Sequence, residues 1–442
     1  MPSDTNELTF DTFVAKIHNI FDELPDHRKF SPNLTYSMKD AALGAFSMFF
    51  TQSPSFLSHQ RAMQQAHGHN NAQSLFGITQ IMSDNQTRNI LDPITPDRFY
   101  PIFSESFDQL ENAGYLDDYR VVNDCLLVPI DGTEFFRSSK IHCENCSVAR
   151  NSNGTVSYSH KVLTPVVAAP GNNKVIALEP EFITPQDGSA KQDCELNAAK
   201  RWIERNSSLS ARKIIITGDD LFSRDPFCKS LLINGFHFIL VCKPSSHTTL
   251  YQYVAELEQA NDIAIISRRQ WNGKFHELHT YRYADNVPLK QGDDALSVNW
   301  AELTVINTKT QEVLYKNSFI TDFKVDRTNV LSIVEAGRTR WKIENENNNV
   351  LKTKGYHLEH NFGHGDKFLA NTLVTLNLAA FLAHTFLEFV DTKYQAVRSV
   401  LSVRKTFFND LKALTKYLYF SCWSQLINFM FEQLEIEPIS TG

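Results

Sequence analysis

Two short apolar runs in this chain end alike, and together they constrain the fold more than any other feature. The stretch "LLVPIDGTEFF", residues 126–136, carries five apolar or proline residues into Asp131 and Gly132. In "KIIITGDD", residues 213–220, three isoleucines lead through Thr217 and Gly218 into Asp219 and Asp220. Short β-branched runs bounded by turn residues predict strands buried on both faces, which occur in sheets covered by helices. The helical stretches "CELNAAKRWIERN" and "PFCKSLLING" alternate with these runs and with "FHFILVCKP", so a mixed sheet carrying helices is expected. Asp131 alone has an ordinary explanation, because Asp-Gly is a frequent hairpin dipeptide. It also has a sharper one: a strand end is a rigid mount for a carboxylate that ligates a hard divalent cation.

On both sides of this region the texture is helical. "LTFDTFVAKIHNIFDELP" spaces Phe10, Phe13, Val14, Ile17, Ile20 and Phe21 on one helical face and stops at Pro25. Ser37 with Asp40 resembles a capping box, and Thr95 with Pro96 opens a further helix that ends at Gly114. Residues 1–117 are therefore read as a separate helical N-terminal domain, 118–365 as an α/β domain with a strand-rich stretch at about 260–323, and 366–442 as a C-terminal helical region. The apolar run 373–390 could span a bilayer by length, but Asn377, His384 and Glu388 interrupt it, so a buried core helix and no membrane are expected. The stripe Phe407, Phe408, Leu411, Leu414, Tyr417, Leu418 reads as core, with Arg404, Lys405, Lys412 and Lys416 as a candidate DNA-facing edge. Seven cysteines, an odd number, and the polar start "MPSDTNELTF" point to an intracellular location. A net charge of −7 argues against a protein that coats nucleic acid nonspecifically, so DNA contact must come from local basic patches. No phosphate-binding loop of the G-x-x-x-x-G-K-[ST] type is present.

One such patch is "RTRWKIENENNNVLKTK", where Arg338, Arg340, Lys342, Lys352 and Lys354 surround Glu344 and Glu346. Two strand-end aspartates plus a glutamate from a later helix can hold two Mg²⁺ or Mn²⁺ ions about 3.5–4 Å apart for phosphoryl transfer. At about 100° per residue, Arg340 lies about 40° and Lys352 about 80° from Glu344 around a helix, and both fall about 120° or more from Glu346, which favours Glu344 as the third ligand. Asp220 reads as an N-cap rather than a ligand. Cys143 and Cys146 in "HCENCS" have zinc-knuckle spacing, and Cys194, His160, His357, His360 or His364 could complete four ligands; a pair of merely buried thiols is the simpler reading.

The blocks "PIDGTEFF", "IITGDDLFS" and "RWKIENE" with "LKTKGYHLEHNFGHG" resemble the three catalytic blocks of DDE transposases of bacterial insertion sequences, in the group with a Tyr-Arg-Glu-Lys signature. The resemblance runs from about residue 126 to 365. It implies a ribonuclease H-like core with a β-rich insertion before the glutamate. It also implies Asp131, Asp219 and Glu344 as catalytic Mg²⁺ or Mn²⁺ ligands, and Arg340 and Lys352 as the DNA-contacting Arg and Lys. Gly337 stands where the signature has Tyr, and Lys352 lies one residue later than usual. The implied function is cleavage of element ends and joining of the 3′-hydroxyls to target DNA, by a homodimer on double-stranded DNA in the bacterial cytoplasm. The alternatives are a catalytically inactive DNA-binding relative and a metal-dependent nuclease without strand transfer.

Overall fold

The computed structural model describes residues 8–437 except 30, 33, 151, 153 and 186–192. Most of the polar start lies outside the described residues. Thirteen strands are present among the described residues: β1 (Leu126–Pro129), β2 (Gly132–Ser138), β3 (Ser147–Arg150), β4 (Val156–Leu163), β5 (Val166–Val167), β6 (Ile176–Ala177), β7 (Glu181–Ile183), β8 (Ile214–Gly218), β9 (His237–Val241), β10 (Ala264–Trp271), β11 (His276–Pro288), β12 (Ser297–Asn307) and β13 (Val313–Thr321). The expected mixed α/β architecture is observed. Its main sheet has seven strands in the order β1-β8-β9-β13-β12-β11-β10, parallel across β1, β8 and β9 and antiparallel beyond.

Three strand-rich runs, 126–138, 156–167 and 176–183, each break in two, and the break has a local cause. Pro165 separates β4 from β5 and Pro180 separates β6 from β7, since proline has no N–H for a ladder. The first run divides at Ile130 and Asp131. No hairpin forms there, contrary to the ordinary meaning of Asp-Gly: β1 pairs with β8, the Ile130 amide still donates to the Thr217 carbonyl at 2.9 Å, and β2 passes into a second sheet against β4. β4 carries β3 and β7 on its other edge. Followed through this bend, the order β7, β4, β2 with β1, β8, β9 is three antiparallel strands and then two parallel ones, consistent with a ribonuclease H-like sheet.

The strand-rich stretch 260–323 extends the main sheet rather than standing apart. β13 pairs with β9, and β12, β11 and β10 continue outward to an exposed edge bearing Arg268 and Arg269. Charged residues on an open edge discourage pairing with other chains.

The helical regions expected at the two termini share one core. Phe10 and Phe50 pack on Trp423 with ring centroids 4.9 and 5.0 Å apart, Phe13 packs on Phe386, and the Asn71 side chain donates to the carbonyls of Thr415 and Leu418. The helix Leu369–Val390 is long and apolar enough to cross a membrane, and it lies buried at the centre of this body against Met38–Phe50. Ser37 caps the latter helix as expected, but Asp40 turns away to accept from the amide and hydroxyl of Thr79, so only half of a capping box forms. After Thr95 comes a 3₁₀ turn, Pro96–Phe99, and the helix proper is Pro101–Asn112.

Candidate functional site

Asp131 and Asp219 leave the carboxyl ends of adjacent parallel strands. In that register Pro129 faces Thr217, so Asp131 and Asp219 each lie two residues beyond the last pair, and the Asp219 carboxylate accepts from the Leu221 amide at 2.8 Å. The carboxyl ends of parallel strands are where open α/β sheets bind ligands. The Asp131 carbonyl accepts from the Thr164 amide at 3.0 Å, and the Thr164 hydroxyl donates to Asn348 Oδ1 at 2.9 Å. Both Thr164 and Asn348 are buried, so this pair docks the Glu344-bearing segment beside Asp131.

That segment is not the regular α-helix assumed from sequence. The helix Val330–Arg338 ends, a turn follows, and Ile343–Asn348 is π-helical before Asn349–Thr353. The steady 100° step therefore fails between Arg340 and Lys352. Single π turns occur often at functional sites. Electrostatics distinguishes the two glutamates instead. Burial pushes the Asp131 carboxyl up to about 6; the Arg340 guanidinium opposes this, while Glu195, Asp219 and Glu344 add to it. Glu346 acts on Lys342 and on Arg404.

Glu195, the first residue of the helix Glu195–Arg205, has no counterpart among the residues singled out from sequence. A Cβ on Gly132 would lie 2.5 Å from Glu195 Cδ, so a side chain there would push the Glu195 carboxylate away from the strand bend. Its own carboxyl is raised, by burial first and then by Asp219 against the opposing Lys161. The only local hint was the glycine itself, since a glycine beside a strand end often marks a close approach.

The structure leaves no room for a side chain at Gly337. A Cβ there would lie 2.5 Å from Phe319 Cδ1 and 3.0 Å from Ile239 Cγ2, because the helix crosses the sheet at this point. Lys352 is ion-paired with Glu359 at 2.9 Å. Asp220 is not the N-cap of Asp225–Ile233, a position held by Arg224; its carboxylate accepts from the Lys243 amide at 2.6 Å and from the Ser246 hydroxyl, fixing the loop after β9.

A cleft of about 710 Å³ opens next to this segment, lined by Lys174, Lys354, Arg398, Arg404, Lys405 and Lys412, with Glu346 and Glu388. Arg404 lies 3.7 Å from Glu388, so it is partly neutralised, and Lys412 donates to the Gln52 carbonyl. In the stripe nearby, Phe407, Phe408 and Leu411 are buried as expected, but Tyr417 and Leu418 are exposed.

Among the described residues one set of ligand-type side chains converges to within 4.8 Å and could bind a metal: Cys143, Cys146, His160 and His364. The three acidic residues are not drawn together to that distance. Cys194, His357 and His360, the other candidates from sequence, lie outside the set and are exposed.

No protein-family model matches the sequence, and no curated protein matches it. Among solved structures the chain is similar to a piggyBac transposase in a synaptic complex with hairpin DNA. The identity is 10% and the TM-score 0.37, over 98% of this chain and 80% of that one. A likeness of this strength does not extend to the insertion-sequence group and assigns no residue or reaction.

Proposed function

We propose that the chain is a DNA transposase of the insertion-sequence type, with its reaction centre at Asp131, Asp219 and Glu344. The observation that supports this reading is the placement of two aspartates at the ends of adjacent parallel strands, with the Glu344 segment tied to one of them through Thr164. Three carboxylates are a hard oxygen donor set suited to Mg²⁺ or Mn²⁺, and the crowding that raises Asp131 is what a divalent cation would relieve. Bound there, such cations would activate the attacking oxygen and steady the leaving one.

The remaining roles fall to the protein. Arg340 offsets the carboxylate charge on the face that a phosphodiester must approach, and the cations of the adjacent cleft receive the DNA backbone. In the first step a water oxygen bonds to phosphorus and the 3′-oxygen of the element end leaves; in the second the freed 3′-hydroxyl attacks a target phosphodiester and displaces its 3′-oxygen. A homodimer would hold two ends, on chromosomal DNA in the cytoplasm.

The test combines the purified protein, Mg²⁺ and a duplex carrying the sequence that flanks the coding region. Cut and joined products are expected, with Asp131→Asn and Asp219→Asn at least about 100-fold slower but still bound to DNA. Cutting without joining would make the chain a nuclease. Binding without cutting by the unaltered protein would make it an inactive relative, and normal cutting by both variants would remove the site.

A further inference from the structure

We propose that Cys143, Cys146, His160 and His364 hold one structural Zn²⁺ in a closed tetrahedral site that fastens the loop before the central helix to the second sheet. This site is separate from the acidic residues and does not rest on the reading of the chain as a transposase. Cys143 and Cys146 lie in the connection from β2 to β3, His160 lies on β4, and His364 comes from the loop ahead of Leu369–Val390.

The distances fit a metal. With Zn–S about 2.3 Å and Zn–N about 2.0–2.1 Å, a tetrahedron has edges of about 3.8 Å between sulfurs, about 3.5 Å between sulfur and nitrogen and about 3.3 Å between nitrogens. The observed edges are 4.0 Å for Cys143 Sγ to Cys146 Sγ, 3.5 Å for Cys143 Sγ to His160 Nε2, 3.4 Å from Cys146 Sγ to each histidine Nε2, and 3.1 Å between the two Nε2 atoms. A disulfide would need the sulfurs at about 2.05 Å. His364 Nδ1 sits 2.8 Å from the Gly365 carbonyl, which takes its proton and leaves Nε2 a bare lone pair aimed at the centre.

Four protein ligands leave no open position, which separates a structural zinc from a catalytic one. The surroundings agree. Cys146, His160 and His364 are buried, and the ring of Phe135 stacks on His160 while that of Phe136 covers both histidines. Two thiolates with two imidazoles select Zn²⁺ over hard cations. Across the same junction Asn145 Nδ2 donates to the Lys367 carbonyl at 2.7 Å, so the metal would reinforce a contact between segments more than 200 residues apart.

The test is metal analysis of the full chain produced with zinc available. One zinc per chain is expected, lost in Cys143→Ser and in His364→Ala, retained in His357→Ala and restored by His364→Cys. Replacing zinc with Co²⁺ should give a thiolate-to-metal charge-transfer band, and a chelator should lower Tm. Should the Ser and Ala variants fail to fold, the stoichiometry and cobalt spectrum of the unaltered chain still decide. A folded chain without zinc would leave a hydrogen-bonded cluster and overturn the proposal, as would zinc retained by both variants or another metal in its place.

Discussion

Asp131 carries a cost in stability at the position where the proposed chemistry needs a carboxylate. Its carboxyl is raised to about 6, above the unfolded value near 4, so the folded state binds the proton more tightly and stability falls as pH rises between the two values. Asp131→Asn should therefore raise Tm above about pH 6, with the gain fading toward pH 4, in thermal melts across that range, while it removes Mg²⁺-dependent cleavage. The neighbouring acids sort themselves the same way. Because the Glu344 charge helps to raise the Asp131 carboxyl while Glu346 lines the basic cleft beside it, Glu344→Gln should slow cleavage of end DNA by orders of magnitude and Glu346→Gln by less than about tenfold. Paired rate measurements check this, and the reverse pattern would exchange their roles.

At the scale of elements, the crossing of Val330–Arg338 over the sheet is fixed by what Gly337 lacks. Gly337→Ala would gain helix propensity of about 1 kcal/mol but force Phe319 and Ile239 apart, so a net loss of about 1–2 kcal/mol is expected in urea denaturation. A stabilised variant would mean that the helix can lift from the sheet at small cost. The basic cleft belongs to this scale too, since it forms where the segment after Glu346 meets the helix Arg404–Tyr417. Lys354→Glu with Lys405→Glu should weaken binding of any DNA sequence and reduce the slope of log affinity against log salt by about 2–4, read from titrations at several salt concentrations.

For the whole molecule, the two helical regions pack into a joint core. Trp423 is buried among Phe10, Phe50 and Phe76, and its indole N–H donates to the Leu75 carbonyl at 2.7 Å. Trp423→Ala should cost about 3–5 kcal/mol, and a fragment ending near residue 117 should lack cooperative unfolding because it loses both Trp423 and the helix Leu369–Val390. Calorimetry of the fragment checks the second point, and a sharp transition would show that residues 1–117 fold as an independent domain.

What the sequence determined by itself was local. The helical face of Phe10–Asp22, the buried strands β1 and β8, and the central burial of Leu369–Val390 follow from periodicity and from the cost of exposing apolar groups, which nearby residues settle among themselves. Cys143 and Cys146 were legible as half a metal site because both ligands lie in one turn. The rest needed distant residues. Asp-Gly became a crossing between two sheets because β8 pairs with Leu126–Pro129 and β4 with Gly132–Ser138, partners that no dipeptide records. Glu195 reached Asp131 through the packing of a helix onto the bend, and the π turn at Ile343–Asn348 formed where the chain docks on Thr164. His160 and His364 were two histidines among several in the sequence. Only tertiary structure selected them, because the side chains that meet at a buried junction are set by how the sheet and the helical body pack, not by their spacing along the chain.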